Sequence, residues 1–165
     1  MRFRKIKLKD DKVILVYEKP GIGAEMDEYS VACSDKPLPS FNEAMKGLVC
    51  HVREMCELPD TYDKRIEVKG VSLSYAGKNE TMGAVITAAM ELHNSVNALN
   101  LNTPHKTVEF YADDGDDKQL LTTGCVDAIE TLIEEAQKYL NGERAQGGLF
   151  KPEMVKGEQP RQVQA

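Results

Sequence analysis

Few residues in this 165-residue chain combine the type and the spacing that chemistry requires. Cys50, His51 and Cys56 come nearest to a metal-ligand group. On a helix, Cys56 falls on the apolar stripe while Cys50 and His51 point elsewhere, and no C-x-x-C or H-x-x-x-H spacing accompanies them. We read Cys56 as a small buried apolar residue and the other two as surface residues. The run Asp113-Asp114-Gly115-Asp116-Asp117 offers oxygen ligands for calcium, but an EF-hand loop needs glycine at its sixth position and glutamate at its twelfth. Here the glycine comes third, and the run reads as a solvated acidic loop. There is no Walker A sequence, no G-x-G-x-x-G and no G-x-S-x-G. Pro20-Gly21-Ile22-Gly23 reads as a hairpin loop. His51, His93 and His105 have no carboxylate or nucleophile in a recognisable frame. These readings favour a binding protein over an enzyme, with no metal and no cofactor.

A second group concerns phosphate recognition. Lys5, Lys7 and Lys9 share one face of an N-terminal strand, where they could contact a nucleic-acid backbone. Lysines on an edge strand also guard against edge-to-edge pairing. The chain has no Trp, none of its other aromatics interleaves with those lysines, and its net charge is −6. Edge protection is therefore the preferred reading. Charge is uneven along the chain. Residues 1–12 hold six basic and two acidic groups, net +4, while residues 109–143 hold two basic and ten acidic groups, net −8. The molecule is two-ended if those segments lie far apart.

The elements that would position these residues follow from hydrophobic periodicity. Residues 3–9 alternate, Asp10-Asp11 fits a tight turn, and Val13 to Tyr17 continues as a second strand. A third strand covers Glu28 to Cys33. The period then changes: Phe41, Ala44, Met45, Leu48, Val49, Val52, Met55 and Cys56 form one apolar stripe on a helix. Ser40 and Glu43 have capping-box spacing at its start, and Pro59 marks its end. Ile66 and Val68 lie out of phase with Val71, Leu73 and Tyr75, which predicts a β-bulge at Lys69-Gly70. Gly77-Lys78-Asn79 is a turn, Ala84 to Leu92 a strand, and the run around Leu99 and Leu101 another. Residues 104–119 read as a surface loop. A last helix spans about Thr123 to Leu140, with Asn141-Gly142 as its stop.

The order βββ-α-βββ-α predicts an α+β domain over residues 1–142, with a mainly antiparallel sheet packed on one face by two amphipathic helices. The open face would suit a ligand or a second subunit, so a homo-oligomer is compatible with it. Residues 143–165 lack periodicity and read as a disordered C-terminal tail. Apolar residues make up 41% of the chain, enough for a core, and no stretch reaches the ~20 apolar residues of a membrane span. Met1-Arg2-Phe3-Arg4-Lys5 has no apolar region of the signal-peptide kind. Four cysteines without an export signal are expected as reduced thiols in a bacterial cytoplasm.

Two resemblances bear on function. Gln146-Gly147-Gly148-Leu149-Phe150 resembles the short peptide by which bacterial replication and repair proteins dock on the sliding clamp. In that family of peptides Leu-Phe enters an apolar pocket and the glutamine bonds at its rim. Those roles would fall to Leu149, Phe150 and Gln146. Gly147 departs from the pattern, where leucine is commoner, and two glycines raise the ordering cost. More widely, Cys56-Glu57-Leu58-Pro59, Gly70-Val71-Ser72-Leu73-Ser74-Tyr75, Leu99 to Lys106 and Gly142 to Gln146 together resemble a family of small proteins encoded in phages and prophages of Gram-positive gut bacteria. That resemblance spans residues 1–150 and brings no catalytic residues. Two functions are then expected. One is a non-enzymatic accessory of DNA replication or recombination, docked on the clamp and binding single-stranded DNA or a second protein. The other is a counter-defence protein that sequesters a signalling nucleotide or occludes a host defence protein, with Lys69, Lys78 and His93 as contributors to a nucleotide pocket.

Overall fold

The structure is a computed structural model that describes residues 1–110 and 115–145. Strand β1 (Arg2–Lys9) returns as β2 (Lys12–Pro20) through Asp10 and Asp11, both left-handed at φ 50° and 63°. That is the two-residue turn whose twist matches its flanking strands, and aspartate tolerates it better than most residues. β3 (Met26–Cys33) pairs with β2 and starts two residues earlier than its apolar pattern suggests.

The expected single helix is two. α1 (Pro39–Lys46) and α2 (Val49–Met55) are separated at Gly47 and Leu48, which stay right-handed but tighten locally, the Leu48 N–H bonding the Met45 carbonyl at 3.1 Å. Glycine is a poor interior helix residue, so the break falls there. The stripe survives it: Phe41, Ala44, Met45, Leu48 and Val52 are buried in one cluster. The capping box does not form. Pro39 supplies a preset first helical turn, and Ser40 Oγ instead donates to Glu135 Oε1 at 2.6 Å. α2 ends at Glu57 (φ 56°), with the Leu58 N–H reaching the Arg53 carbonyl and the Glu57 N–H the Glu54 carbonyl, a Schellman stop ahead of Pro59.

After a 3₁₀ turn (Asp60–Arg65), β4 (Ile66–Ala76) and β5 (Thr81–Met90) form a hairpin, and β6 (Leu99–Asn102) pairs with β5. The β4–β5 register slips between Val68 and Gly70, the expected bulge. Residues 104–119 are more than a surface loop. β7 (Lys106–Thr107) pairs with β5, Thr107 is buried, and Asp116 caps a 3₁₀ turn (Asp117–Gln119). Asp113 and Asp114 lie outside the described residues. α3 (Thr123–Leu140) is capped by Thr122 Oγ1 and stops at Gly142, φ 98°.

The fold is α+β. The seven strands make one sheet in the order β3-β2-β1-β4-β5-β6, with β7 beside β5 and every strand pair antiparallel. One face of the sheet, through Ile6, Leu15, Val71 and Ile86, shares a core with Leu48, Val52, Ile129 and Leu132 from the helices. Residues 143–145, expected in the tail, are held. Ala145 N–H bonds the Lys36 carbonyl at 2.9 Å, and Arg144 Nη1 pairs with Asp35 at 2.7 Å. Residues 146–165, including Gln146, Leu149 and Phe150, lie outside the described residues.

α1 and α3 are joined by a buried carboxylate. Glu135 has a side chain only 8% exposed, accepting from Lys138 Nζ at 2.8 Å and from Ser40 Oγ. The Lys138 ammonium first, and the Ser40 hydroxyl second, hold its pKa below the usual glutamate range. A depressed folded-state pKa stabilises the fold above the unfolded-state value, and the gain is lost as pH falls through the folded value. Glu135→Gln is expected to lose about 2 kcal/mol at pH 7. In denaturant titrations the gap to the parent protein should narrow steadily below about pH 4.

Candidate functional site

Strand alternation decides what the sheet presents on the face that no described helix covers. Ile6 points into the core, so Lys5 and Lys7 point away from it. Lys5 lies opposite Val16 on β2 and Ser72 on β4, and Lys7 opposite Ile14 and Gly70. The next neighbours outward are Ser30 and Val85 in the first row, Ala32 and Thr87 in the second. Lys9 ends the strand opposite Lys12, on the same face. β1 is an inner strand, flanked by β2 and β4. The edge-protection reading of these lysines therefore fails, because β1 has no free edge to protect.

Lys5, Lys7, Lys9 and Lys12 form a stripe about 14 Å long from Lys5 to Lys9. None makes an ion pair or side-chain hydrogen bond among the described residues. The nearby arginines differ. Arg2 Nε sits 2.9 Å and Arg4 Nη1 3.5 Å from Glu18 Oε2, and Arg2 also reaches Glu80. The Arg2 hydrogen bond holds the Glu18 carboxyl below its ordinary range. Two arginines are thus neutralised and four lysines are not. Lys9 and Lys12 stand directly opposite each other, a like-charge pair that costs stability.

Gly70 helps to place the stripe. A Cβ there would come within 2.6 Å of the Ile6 carbonyl oxygen and 2.7 Å of Lys7 Cγ. Glycine lets β1 approach β4 and lets the Lys7 stem lie across the sheet.

The same face carries a pair that the sequence does not reveal. Ser74 Oγ and His105 Nε2 are 2.9 Å apart, with the exposed imidazole lying over Gly83. A Cβ at Gly83 would fall 2.3 Å from that nitrogen, so glycine is what admits the ring. Ser74 and His105 are 31 residues apart, and only the pairing of β5 with both β4 and β7 joins them. Serine beside histidine is the start of a nucleophile relay, but no group holds the other ring nitrogen among the described residues. The pair places two hydrogen-bonding groups side by side on the open face.

The remaining sites fall apart or stay small. Lys69 borders a cavity of about 400 Å³ with Lys64, Arg65, Glu67, Glu91 and Ser95, and its Nζ is 2.8 Å from Glu67. Lys78 sits in the turn at the far end of the β4–β5 hairpin, and His93 does not line the cavity. The three are not brought together. Cys56 is half-buried and Cys125 buried, and burial pushes the Cys56 thiol up and the Cys125 thiol up to about 11. Both are poor nucleophiles. His51 is not a surface residue as expected: its Nδ1 is enclosed without a hydrogen-bond partner, 3.7 Å from Glu54, beside a 150 Å³ cavity. Among the described residues no three His, Cys, Asp or Glu side chains converge on a metal position. None of the described helices is long and apolar enough to cross a membrane.

Charge separates across the sheet. The acidic residues of α3 that face solvent, Asp127, Glu130 and Glu134, lie on the helix side, and the lysine stripe lies on the other. Compared with protein families, curated proteins and solved structures, the chain has no match.

Proposed function

We propose that this chain is a non-enzymatic, phage-type accessory of DNA replication or recombination. Its open sheet face binds single-stranded DNA, and Gln146, Leu149 and Phe150 dock on the bacterial sliding clamp. The observation that carries the reading is the stripe of unpaired lysines on an inner strand of an uncovered face. Unpaired cations held at strand spacing match a row of phosphates. Ser72, Ser74, Thr87 and His105 add hydrogen-bonding groups around it. The central rows of this face carry no aromatic platform, so binding is electrostatic, tolerant of sequence and steeply dependent on salt.

One observation favours the counter-defence alternative. The 400 Å³ cavity bordered by Lys64, Arg65 and Lys69 has the size of a small-ligand site. Glu67 and Glu91 offset most of that positive charge, so the lysine stripe is the stronger anion site.

Fluorescence anisotropy with a labelled oligothymidylate tests the DNA half. Lys5→Glu/Lys7→Glu is expected to weaken binding at least tenfold and to reduce the slope of log K against log salt by about 1.4. An unchanged affinity in the double variant rejects the stripe as the site.

Calorimetry against a bacterial sliding clamp tests the other half. The intact protein is expected to bind in the micromolar range, and Leu149→Ala/Phe150→Ala to abolish the heat signal without altering thermal stability. Absence of binding by the intact protein retires the peptide resemblance. A rise in melting temperature with cyclic nucleotides, in the absence of DNA binding, would transfer the assignment to the cavity.

A further inference from the structure

The two sides of the sheet end differently. On one side the boundary is made of short strands, β6 with four residues and β7 with two. On the other it is β3, eight residues long, paired to β2 in unbroken register from Met26 to Cys33, with no strand beyond it among the described residues. Natural sheets shield such an edge with lysine, proline, a bulge or brevity. β3 contains no lysine or proline, its charged residues Asp27 and Glu28 are confined to one end, its ladder has no register shift, and it is as long as β1. It also exposes large apolar groups, with Tyr29 45% and Met26 38% accessible.

We propose that β3 pairs antiparallel with β3 of a second copy of this chain, about a two-fold axis through Ser30. The register follows from parity and charge. If the axis stands normal to the sheet, residues on the helix side meet residues on the helix side, so paired positions must have equal parity. An axis at Ser30 sets Tyr29 opposite the partner's Val31, an aromatic on a β-branched residue, which is a favourable cross-strand pair. It also sets Asp27 opposite the partner's Cys33. Within each copy Arg144 Nη1 lies 3.4 Å from Cys33 Sγ and already pairs with Asp35 at 2.7 Å, so the incoming carboxylate meets a guanidinium that it would share with Asp35 at both ends of the new ladder. Moving the axis to Tyr29 would lose that match and place Asp27 against Val31. The acidic end of β3, Asp27 and Glu28, thus meets the end where Arg144, Lys36 and Asp35 lie, whose charges sum to +1, and within the ladder from Asp27 to Cys33 no two like charges are opposed.

The dimer does not rest on the nucleic-acid reading, although it has a consequence for it. The axis normal to the sheet leaves both open faces on the same side, so the two lysine stripes face the same way.

Sedimentation equilibrium of the full chain across the micromolar range is the test, with two variants. The parent protein is expected as a dimer, and Tyr29→Lys as a monomer with unchanged circular dichroism. Ser30→Cys places two thiols across the axis, at the separation of directly opposed strand residues. Mild oxidation should then give a covalent dimer whose bond maps to residue 30. Glu28→Cys, about 13 Å from its counterpart, should not cross-link. A parent protein that is monomeric throughout overturns the proposal. So does a dimer that forms without the residue-30 bond. DNA binding by a monomer would leave the functional reading standing while this one falls.

Discussion

The pairing of β1 with the middle of β4 is the contact on which the rest of the molecule depends. Only three residue pairs define it, Lys5 with Ser72, Ile6 with Val71 and Lys7 with Gly70. It joins an N-terminal three-stranded meander to a C-terminal one across more than sixty residues of sequence. Without it each half would have an exposed edge and an incomplete core. With it, Ile6 and Val71 stand side by side under the helices, and the helix layer has one continuous floor. The contact is close because Gly70 has no side chain, and the bulge just before Gly70 restores the phase that carries Val71 and Leu73 inward.

The same pairing makes a surface. It turns β1 from an outer strand into an inner one, and its lysines from edge guards into the basic centre of an open face. The helices then segregate charge. α3 must bury Ile129, Leu132 and Tyr139, so its acidic residues turn outward on the far side of the sheet. A chain of net charge −6 thereby presents a basic stripe that has no ion-pair partner among the described residues. Net charge alone argues against nucleic-acid binding, and its distribution argues for it. Glu135 is the exception in α3. It faces inward, and its carboxylate ties α1 to α3 instead of joining the acidic surface.

The two helix-side surprises share one cause. Ser40 and Glu43 have the spacing of a capping box, and residues 41–56 have the periodicity of one helix. Both signals are local. Tertiary packing offered Ser40 a better partner in Glu135, 95 residues away, and Gly47 gave the helix a place to tighten while its stripe stayed on the sheet.

What the sequence by itself determined is the set of elements whose signals are short-range. The Asp10-Asp11 turn, the bulge at Lys69-Gly70, the α3 stripe with its Gly142 stop and the α+β order all follow from periodicity, turn chemistry and backbone preference, which neighbouring residues settle among themselves. The tertiary structure alone decided which strands adjoin, and with that the placing of the lysines on an inner strand, the meeting of Ser74 with His105, and the position of β3 at the edge of the described sheet. Strand order is a long-range property. It depends on how the two meanders share one core, and no local pattern in residues 1–12 distinguishes an inner strand from an outer one.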